Sequence, residues 1–284
     1  MSTKYTHQLK TRMLAGLATL GLAFVTAVTP AYAGPFIFAG TDGDDHGFFS
    51  GTNQQGWLFM QKALTSIAPS VTNGNQKVYI LGSTSTASAA ANSAFSGAGL
   101  AGWTVENVTV ANFANFFGNV GAQQVQNGGI LMMDSGNNVG GGVDGSAFAP
   151  YAATINTFIG DGGGLFSQAN GYGWLAALGL GVTVTNEFDQ NISLTAAGSA
   201  AFPGLTNADL SSGPYHNNFS NIGAIPILGT SNNSGNAIII GSNTGRPTNP
   251  GTPGVPDGGS FALVYLGLAG LMVGFRRGFI KQAA

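Results

Sequence analysis

Gly129-Ile130-Leu131-Met132-Met133 is a continuously apolar run, entered from Gly128 and left through Asp134-Ser135. A run this short, with no polar alternation and turn residues on both sides, reads as a strand buried on both faces, and such strands belong to parallel sheets covered by helices. Toward the N-terminus the same pattern recurs at Pro35–Ala39 (PFIFA), Lys77–Leu81 (KVYIL) and Thr104–Val110, and toward the C-terminus at Leu165–Ser167. Between these runs, Gly56–Ile67 places Trp57, Met60, Leu64 and Ile67 at helical spacing, and Ala87–Phe95 is rich in helix-favouring alanine. Ala147–Ile159 and Tyr172–Leu178 supply two more helices. Strands alternating with helices predict an α/β fold with a doubly wound, mostly parallel sheet, because a parallel crossover needs about a dozen residues, usually helical.

The later sequence is less regular. Val182–Thr185, Ile225–Leu228 and Ala237–Ile240 read as further strands, the last through three consecutive isoleucines, and Asn191–Asn221 reads as loop and short helix. No long internal repeat stands out, which argues against a solenoid or propeller. From 243 to 254 the chain is Pro, Gly, Asn and Thr with little to bury, a linker that ends a passenger domain of residues 34–242.

Both ends read as addresses. Lys4, Lys10 and Arg12 precede an apolar stretch from Met13 to about Val28, and Ala31-Tyr32-Ala33 follows, the layout of a secretory signal peptide over residues 1–33 with cleavage after Ala33. At the other end, Val255-Pro256-Asp257-Gly258-Gly259-Ser260 leads into an apolar segment over 261–275, then Arg276, Arg277 and Lys281. The basic residues after that segment place the C-terminus in the cytoplasm and the passenger outside, by the positive-inside rule. Gly267, Gly270 and Gly274 on the apolar stretch suit close approach of another helix in lipid.

The order of short motif, hydrophobic segment and basic tail over residues 255–284 resembles the C-terminal sorting signals of bacterial exosortase substrates, the PEP-CTERM family and its VPDSG variant. The resemblance implies that signal peptidase removes the N-terminal peptide, that the C-terminal helix anchors the chain transiently in the membrane, and that an exosortase-type transpeptidase cleaves near Val255–Ser260. The passenger is then left at the cell surface or in the extracellular polysaccharide. Pro-Asp-Gly-Gly stands here where the best-known motif has Pro-Glu-Pro, so the enzyme subtype is open.

Composition narrows the partners. Residues 34–254 hold ten acidic and three basic residues, a charge of −7 against −2 for the whole chain. Lys62, Lys77 and Arg246 cannot neutralise a row of phosphates, which excludes nucleic acid as a partner. Charged residues are 7% of the chain, against about 25% in ordinary domains, so amides and hydroxyls keep the surface wet, a surface compatible with sugar contact. With no cysteine, disulfides, thiolate metal sites and a Cys nucleophile are excluded.

The body, from Gly128–Ser135 through a helix to Gly162-Gly163-Gly164-Leu165-Phe166-Ser167 and another helix, resembles the flavodoxin-like fold of class I glutamine amidotransferases and their ThuA-type relatives. That resemblance implies a strand-to-helix turn presenting a nucleophile near Ser167, Gln168 and Ala169. Here the thiol is missing, and Phe-Ser-Gln-Ala lacks the G-x-S-x-G spacing of a serine elbow. His46 and His216 are the passenger's histidines, so Ser167, His46 and His216 are its catalytic candidates.

Thr41-Asp42-Gly43-Asp44-Asp45-His46-Gly47 follows the first strand, at the end of the sheet where ligands bind in such folds. Asp42, Asp44 and Asp45 crowd three carboxylates together, an oxygen cluster that suits calcium, but the twelve-residue loop with its closing Glu is absent. The alternative is a solvated turn in which Asp42 or Asp44 bonds local amides. Asp134 and Asp144 flank a Gly/Asn loop and rank behind them as ion or sugar ligands. Trp57, Trp103 and Trp174 carry rings that stack on sugars, although Trp57 and Trp174 fall on apolar helical faces, as core residues do. The sequence therefore favours an exported, surface-sorted protein whose domain is structural or ligand-binding and not catalytic. A secreted hydrolase or carbohydrate-modifying enzyme is the alternative, and calcium-dependent adhesion the third.

Overall fold

A computed structural model of the chain describes residues 34–43, 48–49, 52–53, 55–83, 85–133, 145–168, 172–178, 180–211 and 215–245. The signal peptide over 1–33, the sorting segment with its motif Val255–Ser260 and its basic residues Arg276, Arg277 and Lys281, and Asp44, Asp45, His46, Asp134, Asp144 and Ala169 lie outside the described residues. No helix among the described residues is long and apolar enough to cross a membrane.

The fold is mixed α/β. Its strands and α-helices run in the order β1 (Phe36–Ala39), β2 (Phe48–Phe49), β3 (Thr52–Asn53), α1 (Gln55–Ile67), β4 (Lys77–Leu81), α2 (Ser85–Ala98), β5 (Thr104–Val108), α3 (Phe113–Phe117), β6 (Ile130–Met133), α4 (Ala152–Gly160), β7 (Gly164–Gln168), β8 (Thr183–Asp189), β9 (Ile192–Leu194), α5 (Ala196–Ala201), β10 (Tyr215–Ser220), β11 (Ile227–Ser231) and β12 (Ala237–Ser242). In the main sheet the strands lie in the order β5-β4-β6-β7-β1-β12-β10-β8, with β11 pairing both β12 and β9. The centre, β5-β4-β6-β7-β1, is wholly parallel, with Met133 opposite Ser167 and Ser167 opposite Phe38.

The period of two along these strands divides the core. Phe36, Phe38, Tyr79, Leu81, Leu131, Met133 and Leu165 face α3, α4 and the 3-10 segments Gly145–Tyr151 and Tyr172–Leu178. Ile37, Ala39, Val78, Ile80, Ile130, Met132 and Phe166 face α1 and α2. Phe59, Met60, Ala63, Leu64 and Ile67 make the buried stripe of α1, and Ala90, Ala91 and Ala94 that of α2. Helices thus cover both faces, which explains why β1, β6 and Val78–Leu81 of β4 are apolar at every position.

Three expectations are corrected. Residues 191–221, read as loop and short helix, also hold strands β9 and β10. With β8, β11 and β12 they form an antiparallel wing beside the parallel centre, entered where β12 pairs with β1. The single helix expected over Ala147–Ile159 is split into a 3-10 segment and α4, because Pro150 lacks an amide donor and disfavours α geometry in the residue before it. Tyr172–Leu178 is helical but of 3-10 type.

Candidate functional site

β1 delivers Gly40, Thr41 and Asp42 to the C-terminal edge of the parallel strands, where α/β sheets bind ligands. The Gly40 amide donates to the Ile238 carbonyl (2.8 Å), and the Gly40 carbonyl accepts from the His216 amide (2.7 Å). Thr41 then forms an antiparallel bridge to Tyr215. These main-chain bonds bring together two side chains 174 positions apart: His216 Nε2 lies 3.0 Å from Asp42 Oδ2.

The Asp42 side chain is 2% exposed and that of His216 25%. A carboxylate so deeply buried requires polar partners, since an isolated charge is costly there. In return it fixes the imidazole: a neutral ring that donates from Nε2 keeps Nδ1 as an acceptor. Phe188, 67% exposed, sets its ring edge to face against His216, with centroids 5.1 Å apart. The result is an imidazole of fixed orientation beside an exposed apolar ring.

The end of β7 is chemically quieter. Ser167 is fully buried, and among the described residues its hydroxyl has no hydrogen-bond partner, His216 included. A serine nucleophile needs a base within hydrogen-bond reach, and the described residues place none at Ser167. The buried carboxamide of Gln168 accepts from the Thr41 hydroxyl at 3.4 Å and puts its nitrogen 3.0 Å from the Met60 sulfur. The Tyr172 hydroxyl lies 2.8 Å from the carbonyl oxygens of both Ala39 and Ser167 and donates to that pair. Thr41 after β1, Met60 of α1 and Tyr172 after β7 thus meet at the end of β7.

Asp42 is not the solvated turn residue that one reading of the sequence allowed, since it is buried against His216. Asp44, Asp45 and His46 lie outside the described residues, and among the described residues no group of three or more His, Asp or Glu is placed to hold a metal ion. Trp174 is core, 1% exposed, while Trp103 is half-buried.

Glu187 on β8 was singled out by no motif, yet it anchors a polar network on the antiparallel wing. One oxygen accepts from Ser234 (2.5 Å) and Tyr215 (3.3 Å), the other from Asn218 (2.6 Å) and Asn236 (2.8 Å). The Tyr215 hydroxyl also lies 2.6 Å from the Ser231 hydroxyl. Partial burial pushes the Glu187 carboxyl up, but the four donors outweigh it and hold the group below the usual glutamate range. A carboxyl depressed in the folded state contributes stability that is complete above its unfolded value and is lost as pH falls through its folded value. Stability of the wild-type protein should therefore decline on acidification below about pH 4.3. Glu187→Gln should shallow that decline in urea-melt series and cost about 1 kcal/mol at pH 7, because its amide N–H groups then face other donors. An acid limb of unchanged slope in the variant would contradict this.

No protein-family model matches the chain, and no curated protein or solved structure matches it either.

Proposed function

We propose that this is an exported protein, sorted at the cell envelope by an exosortase-type transpeptidase, whose α/β domain binds a ligand outside the cell and performs no catalysis. The order of Val255–Ser260, the apolar segment 261–275 and Arg276, Arg277 and Lys281 carries the sorting half of this reading. The binding half is supported by the sheet edge, where Gln168, Tyr172 and Thr41 are engaged with one another or with nearby groups and the Asp42–His216 pair stands partly open. The doubly wound, flavodoxin-like reading is supported by β5-β4-β6-β7, whose order matches 2-1-3-4 of that type, and by helices on both faces; it departs from it in that the fifth place is taken by β1, the first strand of the chain. Signal peptidase, the membrane and extracellular polysaccharide are its partners on this reading. Calcium remains tied to Asp42, Asp44 and Asp45.

The test is fractionation of cells making the full chain or one truncated before Val255. The full chain should appear at the envelope, shortened at both ends, and the truncated chain should be released without a membrane-bound stage. Full-length protein in the cytosol, with both terminal peptides intact, would overturn the sorting half. The Asp42–His216 pair favours one second reading, a secreted hydrolase in which His216 acts as general base on water and Asp42 orients it. Under that reading His216→Ala abolishes turnover of a substrate, whereas under the binding reading it alters retention only.

A further inference from the structure

At the opposite end of the sheet from Asp42 and His216, the segments entering β4 and β5 enclose an open groove of about 500 Å³. Gln76 precedes the first residue of β4, and Trp103 precedes the first residue of β5. The groove is lined by the half-buried Trp103 ring, by Asn75 and Gln76, and by small or apolar residues such as Leu100 and Ala101, with no charged side chain among them. The adjacent cation, Lys77, is paired with Glu106.

Hydrogen bonds hold the walls of the groove, and a preformed site lowers the cost of binding. The Asn75 carboxamide donates to the Gln126 and Gly128 carbonyls at 2.9 and 3.3 Å. The Thr104 amide donates to the Gln76 carbonyl at 3.0 Å, and the Trp103 amide to that of Leu100 at 3.2 Å. Trp103 lies close over Gly129, where even a Cβ atom would come within 2.8 Å of the ring. Two polar groups at the groove are left unclaimed: among the described residues, nothing accepts from the Trp103 indole N–H, and the exposed Gln76 carboxamide has no side-chain partner.

From this geometry we infer that the groove binds a neutral polysaccharide, with a sugar ring lying on Trp103 and its hydroxyls bonding the indole N–H and the Gln76 amide. An aromatic face beside uncharged amide donors and acceptors matches a pyranose, which offers a C–H face and equatorial hydroxyls but no charge. A charged polymer would find no counter-charge in the lining. The inference deepens the reading of the domain as an extracellular binder. The two fail separately, because loss of export leaves the groove's affinity unchanged and absence of affinity leaves export unchanged.

Calorimetric titration of the purified full-length protein with cellohexaose, followed in parallel by tryptophan emission, tests it. Saturable heat and an emission change are expected. Trp103→Ala should weaken binding roughly tenfold or more. Ala101→Glu, at an exposed position of the rim, should weaken it to a similar extent with an unchanged melting temperature, which separates a lost site from a lost fold. No heat at millimolar cellohexaose, affinity unchanged in Ala101→Glu, or equally tight binding of hexagalacturonate would each overturn the proposal.

Discussion

Gly40→Ala is expected to lower stability by about 3 kcal/mol, the upper part of the usual range for overpacking a closed site. At about 2–4 °C per kcal/mol for a domain of this size, the thermal midpoint should fall by roughly 10 °C. A Cβ atom at position 40 would stand 1.9 Å from the Asn217 carbonyl oxygen, and main chain cannot swing aside as a flexible side chain does. Relief requires β10 to move from the end of β1, and the hydrogen bond from the His216 amide to the Gly40 carbonyl breaks first. The same displacement draws His216 away from Asp42, so the variant should lose the candidate site together with its stability. A melt within about 2 °C of wild type would show that the two strands are not held as closely as described.

Phe38→Ala should cost about 4 kcal/mol, in the range for emptying a large aromatic site in a core. Phe38 is fully buried on the central strand β1, with its ring centroid 5.2 Å from Phe36, 5.9 Å from Trp174 and 6.2 Å from Tyr172. Its removal leaves a hole between the sheet and the 3-10 segment Tyr172–Leu178, which the flanking parallel strands cannot close. Chemical denaturation gives the stability change, and a red shift of Trp174 emission reports the loosened packing beside it. A loss below about 1 kcal/mol would mean that the helical layer collapses into the space, contrary to the close packing of native cores.

The local patterns in the chain carried the parallel centre well. Val78–Leu81, Ile130–Met133 and Leu165–Phe166 are apolar on consecutive positions, and a sheet with helices on each side buries both faces of such strands. In the antiparallel wing the sequence marked strands at Ile225–Leu228 and Ala237–Ile240 but not their pairing; the structure joins β11 and β12 as an antiparallel hairpin, closed where the Ser231 amide donates to the Asn236 carbonyl. β10 was not legible. Tyr-His-Asn-Asn-Phe-Ser has weak strand propensity, and it becomes a strand because β8 and β12 lie on either side to take its main-chain hydrogen bonds.

The candidate site divides along the same line. Residue types and their neighbourhood in the chain were enough to mark Asp42 and His216 for attention, to place Asp42 after the first strand and to exclude thiol chemistry, since these depend on composition and local order. That the two residues meet, and that Ser167 stays buried and apart from the pair, was decided only when β12 and β10 packed against β1. A contact across 174 positions leaves no local periodicity to read, because it is set by which strand edges remain open once the parallel centre has formed.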